Sequence, residues 1–163
     1  MGGAAKRRTL GGAALLLGLG VAACVSPAPA SADSRAVQEA AVANPVHYVE
    51  MPVTDIERAV RFYTAVFGFA LTRQTVDGYE MALFPRTWGA PGASGALASG
   101  DVYVPSKSGP VVYFDVADID AVLERAEAQG AAILYAKKRV GAGYVAEIED
   151  SEGNRIALHA LAD

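Results

Sequence analysis

Residues 49–69 read VEMPVTDIERAVRFYTAVFGF, and this stretch decides the fold. An apolar, strand-like run leads into Thr54 and Asp55, both of which are residue types that cap the free N–H groups of a helix. The apolar residues that follow have helical spacing: Ile56, Ala59, Val60, Tyr63, Val66 and Phe67. Gly68 is typical of the position after a helix. We therefore predict a strand followed directly by an amphipathic helix, with Glu57 completing a capping box.

The same pattern returns later in the chain. VTDIE at 53–57 is matched by VADID at 116–120, where Asp118 is the expected cap and Gly130 the expected end of the second helix. Three strand-like segments follow each helix: 69–76, 79–84 and 95–104 in the first half, then 131–140, 144–149 and 155–160 in the second. The chain is therefore predicted to be α+β, with two tandem βαβββ modules at about 46–104 and 110–160.

This order of motifs, together with DSEGNRIAL at 150–158, resembles the vicinal oxygen chelate superfamily, also called the glyoxalase/bleomycin-resistance/dioxygenase group. The resemblance covers about residues 46–159. It implies that the two modules form paired, cupped mixed sheets in a single domain. It implies less about activity, because function depends on the site that a fold carries.

The N-terminal segment is predicted to be an export signal. Lys6, Arg7 and Arg8 precede an apolar run at 10–23, and VAAC at 21–24 resembles a bacterial lipobox. We expect a signal peptide at 1–23, a lipid anchor on Cys24, a flexible tether at 24–45 and one domain at 46–161. The protein would then be a cell-membrane lipoprotein on the extracytoplasmic side. Cleavage after Ala32 would instead release a secreted protein.

The charge of the chain argues against nucleic acid as a partner. There are 18 acidic and 14 basic residues, and three of the basic ones lie at 6–8 in the predicted signal. Binding to a phosphate backbone needs clustered Lys and Arg. The domain itself is acidic, so nucleic acid is not an expected partner, whereas the superfamily resemblance implies a small-molecule ligand.

The superfamily resemblance also implies a test for metal. Its metal-dependent members hold a divalent ion with His and Glu from the first and last strands of each module. The corresponding positions here are Tyr48, Val111, Ala157 and the run GALASG at 95–100, and His47 is one residue out of register. We therefore predict that the usual metal-ligand positions are vacated, with no cofactor, and that the protein is not a standard metal-dependent glyoxalase I.

Strand alternation predicts which side chains line the cavity, because alternate residues face the same way. The candidate ligand-binding residues are Tyr48, Glu50, Trp88, Tyr113, Asp115 and His159. Glu50 is also the candidate catalytic residue, since a carboxylate partly removed from water among aromatic groups suits acid/base work. Trp88 belongs to a Gly/Pro-rich segment at 86–92.

Two functions follow from these residues. The first is an exported binding protein that holds a small molecule in the concave cavity. The alternative is a lyase-like or dioxygenase-like enzyme that uses Glu50 as acid/base, or a metal site of another kind. Modules of this superfamily pair within one chain or between two, so a homodimer stays open.

Overall fold

The computed structural model describes residues 45–162. The predicted signal, the lipobox at Cys24, the tether and the alternative cleavage site at Ala32 lie outside the described residues. Within them, neither helix is long and apolar enough to cross a membrane.

Two modules of the same design follow one another. The first contains β1 (Tyr48–Val53), α1 (Ile56–Phe67), β2 (Thr72–Val76), β3 (Tyr79–Leu83) and β4 (Ser94–Ser99). The second contains β5 (Val112–Asp115), α2 (Ile119–Ala128), β6 (Ile133–Val140), β7 (Gly143–Glu149) and β8 (Arg155–Leu161). Each makes a four-stranded mixed sheet, in the orders β1-β4-β3-β2 and β5-β8-β7-β6, whose first two strands are parallel. The predicted α+β class with tandem βαβββ modules is confirmed.

Both helices begin and end where the sequence indicates. The Asp55 carboxylate accepts a hydrogen bond from the third backbone N–H of α1, and Asp118 accepts two from the start of α2. Gly68 (φ 74°) and Gly130 (φ 81°) adopt left-handed backbone after the helices, which glycine does without strain.

The strands β2 and β4 differ most from their predicted lengths, and both are shorter. β4 ends at Ser99 rather than near residue 104, because the chain turns at Gly100, whose carbonyl accepts a hydrogen bond from the Tyr103 N–H. β2 begins at Thr72 rather than at 69, since Phe69 packs into the core instead of pairing in the sheet.

One apolar core lies beneath both helices and continues from the first module into the second. Met51 and Val53 of β1 are buried there, as strand alternation predicted, while Tyr48 and Glu50 project from the opposite side. Five aromatic rings join the modules at centroid distances of 5.1–6.0 Å: Tyr63, Phe67, Phe69, Phe84 and Phe114. We call the face of each sheet opposite its helix the concave face.

The segment at 150–154, here called the terminal turn, fastens the second module to the first. Asp150 is only 5% exposed. Its carboxylate accepts hydrogen bonds from the Tyr63 hydroxyl (2.8 Å), from the Asn154 side chain (2.9 Å) and from the backbone N–H groups of Glu152 and Asn154. The Asn154 amide also donates to the Pro52 carbonyl at 2.8 Å. Burial raises the pKa of Asp150, against the opposing effect of these hydrogen bonds.

Glu152 of the same turn completes the cap of α1. Its side chain is fully buried and accepts hydrogen bonds from the backbone N–H groups of Thr54 (3.1 Å) and Asp55 (3.0 Å). The Arg58 guanidinium donates to both carboxylate oxygens, at 2.8 and 2.7 Å. The prediction that Glu57 closes a capping box is wrong, because Glu57 pairs with an arginine of β2 and the residue that reaches the cap belongs to the other module.

Candidate functional site

The concave face of the first sheet carries Glu50 within a group of tyrosines. The Tyr103 hydroxyl donates to the Glu50 carboxylate at 2.7 Å, and this hydrogen bond raises the pKa of Tyr103 to about 12. Tyr79 packs edge-on against Tyr103 with ring centroids 5.3 Å apart. Burial and the nearby Glu50 charge raise the pKa of Tyr48. We call these four residues the Glu50 cluster.

The sequence did not identify Tyr103 as a site residue. Its position depends on the turn at Gly100 that ends β4 early, and a Gly100-Asp101 pair was the available signal for that turn. Glu50 itself is exposed rather than partly removed from water as expected.

The concave face of the second sheet carries Tyr113, Asp115 and His159. Asp115 and His159 are direct neighbours across the β5–β8 pair, and His159 Nδ1 lies 2.6 Å from Asp115 Oδ1. A carboxylate oxygen accepts, so this contact fits the imidazole tautomer that carries its proton on Nδ1. A Cβ on Gly143 would lie 2.4 Å from the Ala160 carbonyl oxygen and 3.0 Å from His159 Nε2, so the neighbouring backbone and the imidazole together require glycine here.

The residues at the superfamily's metal positions do not fit a metal ion. Ala157 is fully buried, and it lies opposite Tyr113 on one side and Glu147 on the other. Val111 and Ala157 offer no donor atom in their side chains. Between residues 45 and 162, no three His, Cys, Asp or Glu side chains converge as a group that could hold a metal. His47 belongs to no such group.

A cleft of about 330 Å³, here called the aromatic cleft, lies where the two modules meet. It is lined by apolar and aromatic residues together with two of the predicted site residues: Val49, Phe69, Phe84, Pro85, Pro91, Gly92, Ala93, Ser94, Val112, Tyr113, Phe114 and Asp115. The structure therefore brings Tyr113 and Asp115 together, with a mostly apolar wall beside them.

Other predicted residues lie elsewhere. Glu50 lines a second cleft, of about 320 Å³, together with Arg155. His159 and Asp115 line a third, of about 640 Å³, at the end of β8. Glu50 is thus separated from the aromatic cleft, whereas Asp115 belongs to two clefts.

Trp88 stands apart from all of these. It belongs to residues 85–93, here called the Trp88 loop, which connects β3 to β4. Its side chain is 83% exposed and lines none of these three clefts, although the base of its loop lines the aromatic one. The Arg86 guanidinium lies 4.3 Å from the ring centroid of Trp88. Its predicted role as a ligand contact stays a prediction.

The fold and its clefts define an α+β protein of two βαβββ modules, with aromatic and carboxylate side chains on its concave faces. The family model of the Glyoxalase/Bleomycin resistance protein/Dioxygenase superfamily matches residues 45–158. The chain belongs to this superfamily.

Solved structures agree with this assignment. TnmS3, an antibiotic binding protein from Streptomyces sp. CB03234, is 27% identical over 75% of this chain and 100% of its own, with a TM-score of 0.59. A glyoxalase/bleomycin resistance protein from the same organism is 27% identical over 69% of this chain and 97% of its own, with a TM-score of 0.56. The fosfomycin resistance protein FosX from Listeria monocytogenes, at 18% identity, shares the fold, with a TM-score of 0.58 over 75% of this chain and 94% of its own. No curated protein matched the chain.

Proposed function

We propose that this protein binds a small aromatic molecule in the aromatic cleft. The observation that carries the proposal is the combination of three phenylalanines with Tyr113 and Asp115 in one cleft between the modules. Apolar walls with a few convergent polar groups are the usual composition of small-molecule sites, and about 330 Å³ is at the lower end of their size range of roughly 300–1,000 Å³.

The lining specifies the chemistry of the ligand. Phe69, Phe84 and Phe114 offer ring edges and faces to a flat apolar body. The Asp115 carboxylate accepts hydrogen bonds, so a cationic or hydrogen-bond-donating group on the ligand would face it. The similarity to TnmS3, at 27% identity, supports a ligand of antibiotic size.

A thermal-shift panel of flat, cationic aromatic compounds tests this proposal. We expect a hit to raise the unfolding temperature of the wild-type protein, because a ligand that binds only the folded state stabilises it. Tyr113→Ala and Asp115→Asn should reduce that rise several-fold. Tyr135→Ala is the control, because Tyr135 is also an exposed tyrosine of the second sheet but does not line the aromatic cleft. Equal losses in all three variants would contradict the assignment.

A second copy of the chain is proposed to complete the binding site. Tyr113 is 56% exposed and Tyr48 is 41% exposed, so each concave face presents a large part of a tyrosine side chain to solvent. In a symmetric dimer, the second sheet of one copy could face the first sheet of the other. This arrangement would cover the Tyr48 and Tyr113 side chains, and the two concave faces would then enclose a cavity. Analytical ultracentrifugation should give a dimer, and a monomer at all concentrations would contradict this proposal.

The proposed location is the extracytoplasmic face of the cell membrane, with the lipid anchor on Cys24. The lipobox in the sequence supports it. Cys24→Ser should move the protein from the membrane fraction to the soluble fraction. If the wild-type protein is already soluble and begins after Ala32, secretion is the correct alternative.

The Glu50 cluster supports a second candidate function, an enzyme that uses Glu50 as acid/base. The 2.7 Å hydrogen bond from Tyr103 fixes one carboxylate oxygen and leaves the other to reach a substrate. If turnover of any compound is detected, Glu50→Gln should abolish it, while Tyr103→Phe should reduce it less. Turnover that survives Glu50→Gln would remove this candidate.

A further inference from the structure

We infer that the Trp88 loop is a membrane-contacting surface, in which Trp88 enters the interfacial layer of the bilayer that holds the Cys24 anchor. This inference rests on the proposed anchor and gives the domain a second point of contact with lipid. The occupant of this surface is the lipid headgroup region.

The first observation is the exposure of the Trp88 side chain. Trp is a large apolar residue that proteins normally cover to a high degree, yet here 83% of it is exposed. The cation of Arg86 lies over the ring. An amphipathic indole beside a cation has the composition of side chains that lie at the boundary between acyl chains and headgroups.

The second observation is that the Trp88 loop lies at the end of the domain where the chain enters it. β1 and β4 are parallel, and Tyr48 lies opposite Ser94. Residues 45–47, by which the chain enters the domain, therefore reach the sheet at the same end as the Trp88 loop. The chain that carries the proposed anchor thus enters the domain at the end where the Trp88 loop lies, and Val46, also exposed, is at this end.

The third observation is the charge of the surrounding sequence. Between Glu80 and Asp101 the chain contains Arg86 and no acidic residue, although acidic residues outnumber basic ones overall. Among the described residues that line the aromatic cleft, only Asp115 has a carboxylate, and it contacts His159. A loop without carboxylates can approach an anionic membrane surface that would repel most of this domain.

Trp88 is the only tryptophan in the protein, so its fluorescence reports on this loop alone. The experiment uses the lipidated mature protein, which by the proposed processing begins at Cys24, in vesicles of phosphatidylcholine with a minor fraction of phosphatidylglycerol. We expect a blue-shifted emission, strong quenching by lipids brominated along the acyl chain, and several-fold weaker quenching by aqueous iodide than in the detergent-free Cys24→Ser protein.

The possible results distinguish a failure of the anchor proposal from a failure of the inference about the Trp88 loop. If the protein sediments with vesicles but Trp88 stays accessible to iodide and insensitive to brominated lipid, the anchor stands and this inference is overturned. If the protein does not sediment with vesicles, the anchor proposal fails and this inference fails with it. If iodide is excluded without any quenching by brominated lipid, Trp88 is covered by protein or ligand, which also overturns the inference.

A mutational test removes the dependence on the lipid chains. The Cys24→Ser protein should still bind these vesicles weakly in a flotation assay, and adding Trp88→Ala should lower the bound fraction several-fold. Val104→Ala is the control, because Val104 is also highly exposed but lies beyond the opposite end of β4. Equal binding of the Trp88→Ala and Val104→Ala proteins would contradict the inference.

Discussion

The two modules have the same order of elements, but they differ in the segment between their third and fourth strands. In the second module this segment is the terminal turn at 150–154, whose buried Asp150 and Glu152 side chains accept hydrogen bonds from Tyr63 and from the start of α1 in the first module. In the first module it is the Trp88 loop, which is longer and exposed. The two segments occupy equivalent positions in the repeat but differ in role. The terminal turn holds the modules together, whereas the Trp88 loop is exposed at the surface.

The difference extends to the helices. The cap of α1 uses its own Asp55 and also Glu152 from the other module, whereas the cap of α2 uses Asp118 of the same module. A carboxylate from the second module therefore helps to cap the helix of the first, but within residues 45–162 no carboxylate from the first module caps the helix of the second. Perfect two-fold symmetry between the modules would give both contacts. Four predictions test this asymmetry, from the largest expected effect to the smallest.

Asp150→Ala should have the largest effect. It leaves the Tyr63 hydroxyl and the Asn154 amide without their buried acceptor, which should lower the free energy of unfolding by about 4 kcal/mol. Urea denaturation measures this. Asp120→Ala, which removes an exposed carboxylate paired with Lys137, should cost less than about 1 kcal/mol. If Asp150→Ala and Asp120→Ala lowered the free energy of unfolding by similar amounts, the Asp150 contacts of the terminal turn would contribute no more to stability than an exposed ion pair.

Glu152 should make the stability depend on pH. Burial alone would raise its pKa, but hydrogen bonds from Arg58, Asp55 and Thr54 outweigh burial and lower it from 4.5 to about 2. A group whose pKa is lowered in the folded state stabilises the protein above its unfolded pKa, and this contribution is lost as the pH falls through the folded pKa.

The free energy of unfolding of the wild-type protein should exceed that of the Glu152→Gln protein at pH 4.5. This difference should decrease by about 3 kcal/mol as the pH falls from 4.5 to about 2. Asp150 titrates in both proteins, so its effect cancels in the difference. Denaturation of both proteins across this range is the measurement. A constant difference would mean that Glu152 is not an ionised partner of the α1 cap.

Tyr63→Phe should have a moderate effect. It removes one donor from Asp150 and keeps the ring in the aromatic core, so we expect a loss of about 2 kcal/mol in the free energy of unfolding. Tyr144→Phe is a suitable control, because no hydrogen bond of its hydroxyl is present among the described residues. A loss below about 0.5 kcal/mol would show that the Tyr63–Asp150 contact adds little.

Trp88→Ala should have the smallest effect on stability, within about 0.5 kcal/mol, because its side chain is mostly in solvent. Circular dichroism during thermal unfolding measures this. A loss above about 1 kcal/mol would mean that the Trp88 loop packs on the domain in solution, and the contrast between the two segments would disappear.

The sequence predicted the parts of the fold that depend on local signals. The repeated V-x-D-I pattern located both helices, and the Asp77-Gly78 pair forms a turn with Asp77 at φ 49° as a hairpin of this type requires. Strand alternation also assigned Met51 and Tyr48 to opposite faces correctly. These features involve neighbours in sequence, so a single chain contains the information for them.

The contacts that the sequence missed are long-range. Glu57 has the spacing of a capping-box residue, yet Glu152 takes that role because the folded chain brings the terminal turn to the start of α1. Tyr103 reaches Glu50 only because β4 ends early. The candidate site was likewise predicted as one cavity, whereas Glu50 lines a different cleft from Tyr113, since the two residues lie on different sheets.

The Glu152 contact has a consequence for how the protein forms. The carboxylate and the Thr54 N–H that it accepts from are 98 residues apart in sequence, so this contact closes a very long loop. As the chain is made from its N-terminus, the first module emerges well before the residue that completes its helix cap. It can finish folding only after the last strand pair is available, which makes this part of folding slow compared with local helix formation.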